Sequence, residues 1–192
     1  MRICIDPGHS GPYEPGAVYD GYTEAELALS IALYAGGDLR LLGHEIFYTR
    51  TGNIDSDLLQ PRVALANEVQ ADLFISVHIN AAVNQSAKGA EVYHYPGSSD
   101  GRLLADCIAR AFSRRGPIYA RAVKEAGFYV LEYTAMPAVL VECGFLSNYD
   151  DRQRLISSTS RQIIGQNIVS GVMAYAAAKP FYHCSDKPAL RC

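Results

Sequence analysis

Three stretches of this chain place a titratable side chain where an apolar run stops. His9 follows the Pro-Gly turn in "RICIDPGHSG" (2–11), His78 closes "LFISVH" (73–78) and Glu142 closes "AVLVE" (138–142). A fourth group is picked out by what its neighbour is already doing. In "YTEAEL", Thr23 and Glu26 have the spacing of a capping box, in which the Thr oxygen accepts the third helical N–H and the glutamate reaches back to the cap. Glu24, at the first helical position, is then left to face outward from the helix mouth. Two imidazoles and a carboxylate, His9, His78 and Glu24, make a His₂Glu ligand set that one water completes to the open tetrahedral shell of a catalytic zinc site. Glu142, nearby and not needed as a ligand, has the chemistry of a general base.

Each residue also has a plainer explanation. His9 alone reads as a turn residue capping a backbone carbonyl, and His78 alone as a satisfied core histidine. Glu24 alone is a helix N-terminal charge favoured by the dipole, worth about 0.3–1 kcal/mol. Glu142 is the hardest to explain singly, because burying an unpaired carboxylate beside Val139, Leu140, Val141 and Phe145 costs several kcal/mol unless a cation offsets it. Arg121 and Arg62 are the candidate partners for that plainer reading. A shared metal accounts for all four residues with one cause. Asp6 is expected to tie down the first turn and to orient His9 through its other ring nitrogen. Of the other histidines, His44 follows a glycine at a helix end, His94 reads as packed, and His183 lies near the C-terminus.

The elements that must position these groups alternate. "RICID", "EAELALSIALYAGGDLRLLG", "HEIFYTR", "SDLLQPRVALANEVQ" and "DLFISVHI" read as βαβαβ. Such units pair in parallel through right-handed crossovers and bring strand carboxyl ends to one edge of the sheet, where ligands collect. Beyond them, "AEVYHYP" reads as a strand and "SDGRLLADCIARAFSRR" as a helix with Leu103, Leu104, Cys107, Ile108 and Ala111 on its apolar side. A polar link precedes two further strands, "FYVLEY" and "AVLVECGF". A last helix carries Ile164, Ile168, Val172 and Tyr175 along one side and stops near Pro180. Residues 1–179 form one α/β domain on this reading, and 180–192 a loose tail.

Composition narrows the function classes. With 192 residues, 49% hydrophobic and 19% charged, the chain can bury one sizeable core. A formal net charge of −3 gives no pull toward nucleic acid or anionic membrane, and no apolar run approaches the roughly 20 residues that span a bilayer. The five cysteines are odd in number, spread out and never in a C-x-x-C pair, so Cys4, Cys107 and Cys143 read as small buried hydrophobes. Cys184 and Cys192 fall in the tail.

The segments "IDPGHSG", "YTEAELALSIAL", "TRTGNIDSDLLQPRVALAN", "ADLFISVHINA", "GAEVYHY" and "VLEYTAMPAVLVECGFLSN" resemble, in order, the signature segments of the zinc-dependent N-acetylmuramoyl-L-alanine amidases of the amidase-3 type. The resemblance covers about residues 2 to 177. It implies a three-layer αβα fold with a mixed, mainly parallel sheet of about six strands. It also implies a peptidoglycan hydrolase that cuts the amide between N-acetylmuramic acid and the L-alanine of the stem peptide. His9, Glu24 and His78 match the family's zinc ligands, and Glu142 its catalytic glutamate. Peptidoglycan is then the expected partner and Zn²⁺ the expected cofactor, with no nucleic acid, no membrane insertion and a monomeric chain. Many secreted members carry a leader and a wall-binding module that this sequence does not display, which suits a lysin of phage or prophage origin acting on the wall. No long insertion lies between Ala90 and Arg121 to plug the site, so constitutive activity is expected. Two other classes remain open at this point: a carboxypeptidase-like zinc hydrolase, which needs a cation such as Arg121 for a terminal carboxylate, and a wall-binding domain without chemistry.

Overall fold

The computed structural model describes residues 1–114 and 116–179. Its elements are β1 (Arg2–Pro7), β2 (Val18–Tyr19), β3 (Tyr22–Thr23), α1 (Glu24–Leu41), β4 (Glu45–Tyr48), α2 (Leu59–Glu68) and β5 (Leu73–Asn80), followed by β6 (Ala90–His94), α3 (Ser99–Arg114), β7 (Ala120–Glu125), α4 (Tyr129–Glu132), β8 (Ala138–Phe145), α5 (Tyr149–Ile156) and α6 (Ser158–Ala178). The expected tail, 180–192, with His183, Cys184 and Cys192, lies outside the described residues.

One sheet has the order β4-β1-β5-β8-β6-β7. β4, β1, β5 and β8 pair in parallel, β6 runs antiparallel to β8, and β7 runs parallel to β6. The reversal at β6 has a simple cause. Residues 81–89 between β5 and β6 are too few for the dozen-residue crossover that a parallel return requires. The expected mixed, mainly parallel αβα architecture is therefore the one observed, although the shared carboxyl edge holds for four strands and not for β6 and β7.

Strand periodicity divides the core in two. Ile3 and Ile5 of β1, Leu73, Ile75, Val77 and Ile79 of β5, and Val139, Val141 and Cys143 of β8 face the long helices α1, α3 and α6. Cys4, Phe74, Ala138 and Leu140 point the other way, toward Val63 and Ala66 of α2 and Val130 and Leu131 of α4. On this second face the helices are short. Apolar cover runs out along the strands, and the later residues of the same parity are Asp6, Ser76, His78 and Glu142.

Two expectations fail in instructive ways. "FYVLEY" is not a strand: its aromatic and β-branched residues build the single-turn α4, which buries Val130 and Leu131 side by side. The missing strand is β7, inside the supposed polar link. As an edge strand with no fully buried residue, it shows no apolar alternation to detect. The short β2–β3 hairpin, with Asp20 and Gly21 both at positive φ in its turn, and helix α5 also escaped the reading. Cys4, Cys107 and Cys143 are buried free thiols, as expected. Among the described residues no helix is long and apolar enough to cross a membrane.

Helix α6 can lie against both α1 and α3 because it carries glycines where they cross. A Cβ on Gly171 would stand 2.5 Å from Ile108 Cα and 2.8 Å from Ile108 N, backbone atoms that cannot swing aside. Gly171→Ala should therefore cost about 1–3 kcal/mol from overpacking, despite the helix propensity gained. Urea unfolding measures this, and an unchanged or higher midpoint would contradict the packing described.

Candidate active site

The first turn is held by two buried arginines. Arg50 donates to the carbonyls of Pro7 (3.0 Å), Gly8 (2.6 Å) and, at the start of α1, Ala25 (2.8 Å). Arg62 donates to Pro7 O (2.8 Å) and His9 O (2.6 Å) while pairing with Asp6 (2.7 Å) and Asp57 (3.0 Å). Three consecutive carbonyls are thus fixed by guanidinium groups, and His9 is held at φ 59°, a left-handed conformation that a non-glycine residue adopts only when its surroundings impose it. Asp6 is filled by Arg62, Thr49 (2.6 Å) and Ser76 (2.7 Å). It secures the turn as expected but does not contact His9, because its oxygens face inward to Arg62.

Glu24 begins α1, where Thr23 Oγ1 accepts the Glu26 N–H at 3.3 Å as the capping spacing predicts. Its side chain leaves the helix mouth and is buried, 6% exposed. Oε1 accepts the Ile79 N–H (3.0 Å) and Oε2 the Ala17 N–H (3.0 Å), so backbone donors on both sides set its orientation. Each oxygen also meets one imidazole, Oε1 with His78 Nδ1 at 2.9 Å and Oε2 with His9 Nε2 at 3.0 Å. The ligand atoms of His9, Glu24 and His78 lie within 4.8 Å of one another.

Two glycines make room for this convergence. A Cβ on Gly8 would fall 2.4–2.6 Å from the His78 ring, and one on Gly16 would fall 2.6 Å from both Glu24 Oε2 and His9 Nε2. The backbone thus closes on the three donors as tightly as residues without side chains permit, and the donor set fits a zinc ion by type and number.

Glu142 lies inside β8 and not at its end. It is the register partner of His78 on β5 and of Glu91 on β6, so the three form a row across the open face. Glu142 Oε2 is buried with no hydrogen-bond partner. The arginines that could have neutralised it are engaged elsewhere, Arg62 with Asp6 and Asp57, and Arg121 beside Glu91 at 3.4 Å. A cavity of about 380 Å³ joins these groups, lined by His9, Glu24, His78 and Glu142 and walled by Leu59, Phe128 and Tyr129. His94 is packed, with Nδ1 3.0 Å from Tyr95 O.

The electrostatics separate the two glutamates. Burial opposes ionisation of Glu24, but hydrogen bonds with His78 and His9 outweigh it and hold the carboxyl well below the usual range. Burial would push the His78 imidazole down, yet the Glu24 contact and the Glu142 charge leave it raised. For Glu142 burial dominates. The opposing His78 charge and the reinforcing charges of Glu24 and Glu91 leave its carboxyl raised from 4.5 to about 7. One carboxylate stays ionised, and its neighbour is shifted toward neutrality.

Sequence reasoning selected the four central residues but missed their supports. Nothing in "FYTRTG" or "LQPRVALAN" marks Arg50 and Arg62 as buried, because their burial depends on carbonyls more than 40 residues away. Glu91 was likewise missed, although it stands in the apolar strand "AEVYHYP" with the same signature as Glu142.

Converging donors, a carboxyl group without a partner beside them and a cavity over both make up a candidate active site on an αβα domain. The sequence pattern of the N-acetylmuramoyl-L-alanine amidase family matches residues 3–174, and the chain belongs to that family. Peptidoglycan amidase activity follows from this membership. The chain is 37% identical over 177 residues to the uncharacterized protein YqiI of Bacillus subtilis, covering 90% of this chain and 84% of that protein. It is 36% identical over 184 residues to the N-acetylmuramoyl-L-alanine amidase LytC of Bacillus subtilis, covering 90% of this chain and 35% of LytC. The crystal structure of an N-acetylmuramoyl-L-alanine amidase from Clostridium difficile 630 superposes with a TM-score of 0.87 at 31% identity, over 93% of this chain and 97% of that one.

The raised Glu142 carboxyl has a consequence for the metal-free protein. The folded chain keeps a proton on Glu142 up to about pH 7, whereas the unfolded chain releases it near 4.5. Between those values the folded state binds more protons, so the Glu142 contribution to stability falls as pH rises, by at most about 3 kcal/mol. Glu142→Gln should therefore unfold at a higher temperature than the parent at pH 8 and at nearly the same temperature at pH 4.5. Equal melting temperatures at pH 8, measured in chelator, would refute the buried charge.

Proposed function

We propose that residues 1–179 are the catalytic unit of a zinc amidase of the cell wall. His9, Glu24 and His78 hold the metal, and Glu142 is general base and then general acid. The bond cut is the amide between the lactyl group of N-acetylmuramic acid and the L-alanine of the stem peptide. The observation that carries this reading is Glu142 Oε2, buried and unpartnered beside three convergent donors. A stable fold has no use for such a group, whereas proton transfer requires one. All these residues come from one chain, so a single copy holds a complete site.

Zinc, when bound, supplies Lewis acidity, lowering the pKa of water to about 7 and stabilising negative charge on the substrate carbonyl oxygen. The protein residues do the rest. The backbone N–H groups of Ala17 and Ile79 hold Glu24 against the two imidazoles. Glu142 takes a proton from the attacking water as its oxygen adds to the lactyl carbonyl carbon. When the C–N bond breaks, Glu142 returns that proton to the alanine nitrogen, which leaves as an amine. Phe128, Tyr129 and Leu59 wall the cavity and limit water around the reacting atoms.

Glu142→Gln should lower turnover of purified peptidoglycan by about 10²- to 10⁴-fold while zinc content, read by atomic absorption, stays at one per chain. His78→Ala should lose both zinc and activity, and a chelator should stop the parent enzyme reversibly. The digest should gain free alanine amino termini with no new reducing sugar. Release of single C-terminal amino acids would instead assign a carboxypeptidase, and wild-type turnover by Glu142→Gln would remove Glu142 from the chemistry.

A further inference from the structure

One charged cluster on the open face takes no part in this mechanism. Glu91 of β6, 2% exposed, accepts hydrogen bonds from Lys124 Nζ (2.7 Å), Tyr93 Oη (2.7 Å) and Asn80 Nδ2 (3.3 Å), with Arg121 Nε a further 3.4 Å away. Two cations therefore share one buried carboxylate that is already satisfied without Arg121. The surplus positive charge faces outward: the Arg121 and Lys124 side chains are 39% and 42% exposed. Arg121 occupies its position because of a bulge. Ala90 and Glu91 of β6 pair with Ala120 and Ala122 of β7, so Arg121 is the extra residue that the bulge re-aims, and its guanidinium lies over the Phe145 ring at 5.4 Å. Its Nη atoms make no hydrogen bond among the described residues, leaving two donors of a fork whose geometry suits a carboxylate.

Position along the sheet says which part of a substrate would meet it. In the order β1, β5, β8, β6, β7, the donors of β1 and β5 come first, Glu142 on β8 next, and the two cations last. Glu142 hands its proton to the departing nitrogen, so the leaving peptide starts there and runs away from the acyl side, over β6. Strands stand about 4.8 Å apart and extended peptide advances roughly 3.3–3.6 Å per residue, which puts a group anchored above Glu91 about one to two residues past the cut bond. Resting on the amidase reading above, we propose that Arg121, supported by Lys124, is a specificity-determining subsite for a free carboxylate carried by the stem peptide just beyond its first residue. Glu91 is the positioning residue that keeps both cations on this face.

Two synthetic N-acetylmuramoyl dipeptides test this, differing only in whether the second stem residue bears a free α-carboxylate or its carboxamide, with every other carboxyl group amidated. The zinc-loaded full chain should prefer the carboxylate by about tenfold or more in kcat/KM, mainly through KM. Arg121→Gln should bring the ratio within about twofold of one, Arg121→Lys should retain part of it, and Arg110→Gln on α3 should leave it intact. Equal rates for the two substrates, or an Arg121→Gln ratio equal to the parent's, would overturn the subsite while leaving the amidase intact. Calorimetric titration of the same pair onto Glu142→Gln reads the preference without turnover. An Arg121-dependent preference there, in a chain whose parent cuts neither compound, would keep the carboxylate subsite and remove the amidase reading.

Discussion

The site depends on how three successive carbonyls, Pro7, Gly8 and His9, are satisfied. They belong to a turn at the end of a central strand, where the sheet no longer supplies donors, and an unpaired buried carbonyl is costly. Arg50 and Arg62 supply them, and Arg50 also ties the turn to α1 through Ala25 O. Burying two guanidinium groups is itself unfavourable, and the cost is offset by Asp6 and Asp57, which pair with Arg62 and lie close to Arg50. Burial together with the neighbouring Arg62 still pushes Arg50 down to about 10, so it stays a cation at neutral pH. The geometry of His9 and Glu24 is thus a by-product of charge balance beneath them. The backbone from which His9 hangs is clamped by the arginines, and that of His78 by its pairing in β5.

The second constraint is the parity of β-strands. Residues of one parity on β5 and β8 meet three long helices and are apolar throughout; those of the other parity begin under α2 and α4 and end uncovered. Polar groups at the uncovered end are not isolated accidents of sequence. His78, Glu142 and Glu91 occupy one transverse row because three strands in fixed register must put them there. The order of strands then separates the groups in space, with the imidazoles on β5 and its β1 side, Glu142 on β8 and the cations on the β7 strand beyond β6.

These two constraints explain what the sequence disclosed. Strands buried on both faces announce themselves by continuous apolar runs, and a titratable residue that ends such a run stands out, which is why His78 and Glu142 were legible. Glu24 was legible only by elimination, through the capping role of Glu26, and the Ala17 and Ile79 N–H groups that hold it were not, because they are contributed by other segments. β7 was illegible since an exposed edge strand carrying Arg121, Lys124 and Glu125 has the composition of a loop. "FYVLEY" misled for the converse reason: its residues favour strands locally, but packing of Val130 and Leu131 onto the second core overrides that preference. Helix-to-helix contacts at Gly165 and Gly171 and the arginine clamp rest on pairings distant in sequence, to which local periodicity is blind.

Glu142 shows why the site cannot be understood as packing alone. Cations lie within reach of its side of the sheet: Lys124 and Arg121 stand two strands further along, yet both are drawn to Glu91, which is held below the usual carboxylate range because Lys124 and Tyr93 bond to it against the opposing effect of burial. Glu91 thereby acts as a sink for positive charge. Were it apolar, Lys124 would be free to turn toward Glu142 and lower that carboxyl. An ionised glutamate kept next to one poised near neutrality is a division of labour written into adjacent strands. The first fixes the cations, and the second is left without a partner.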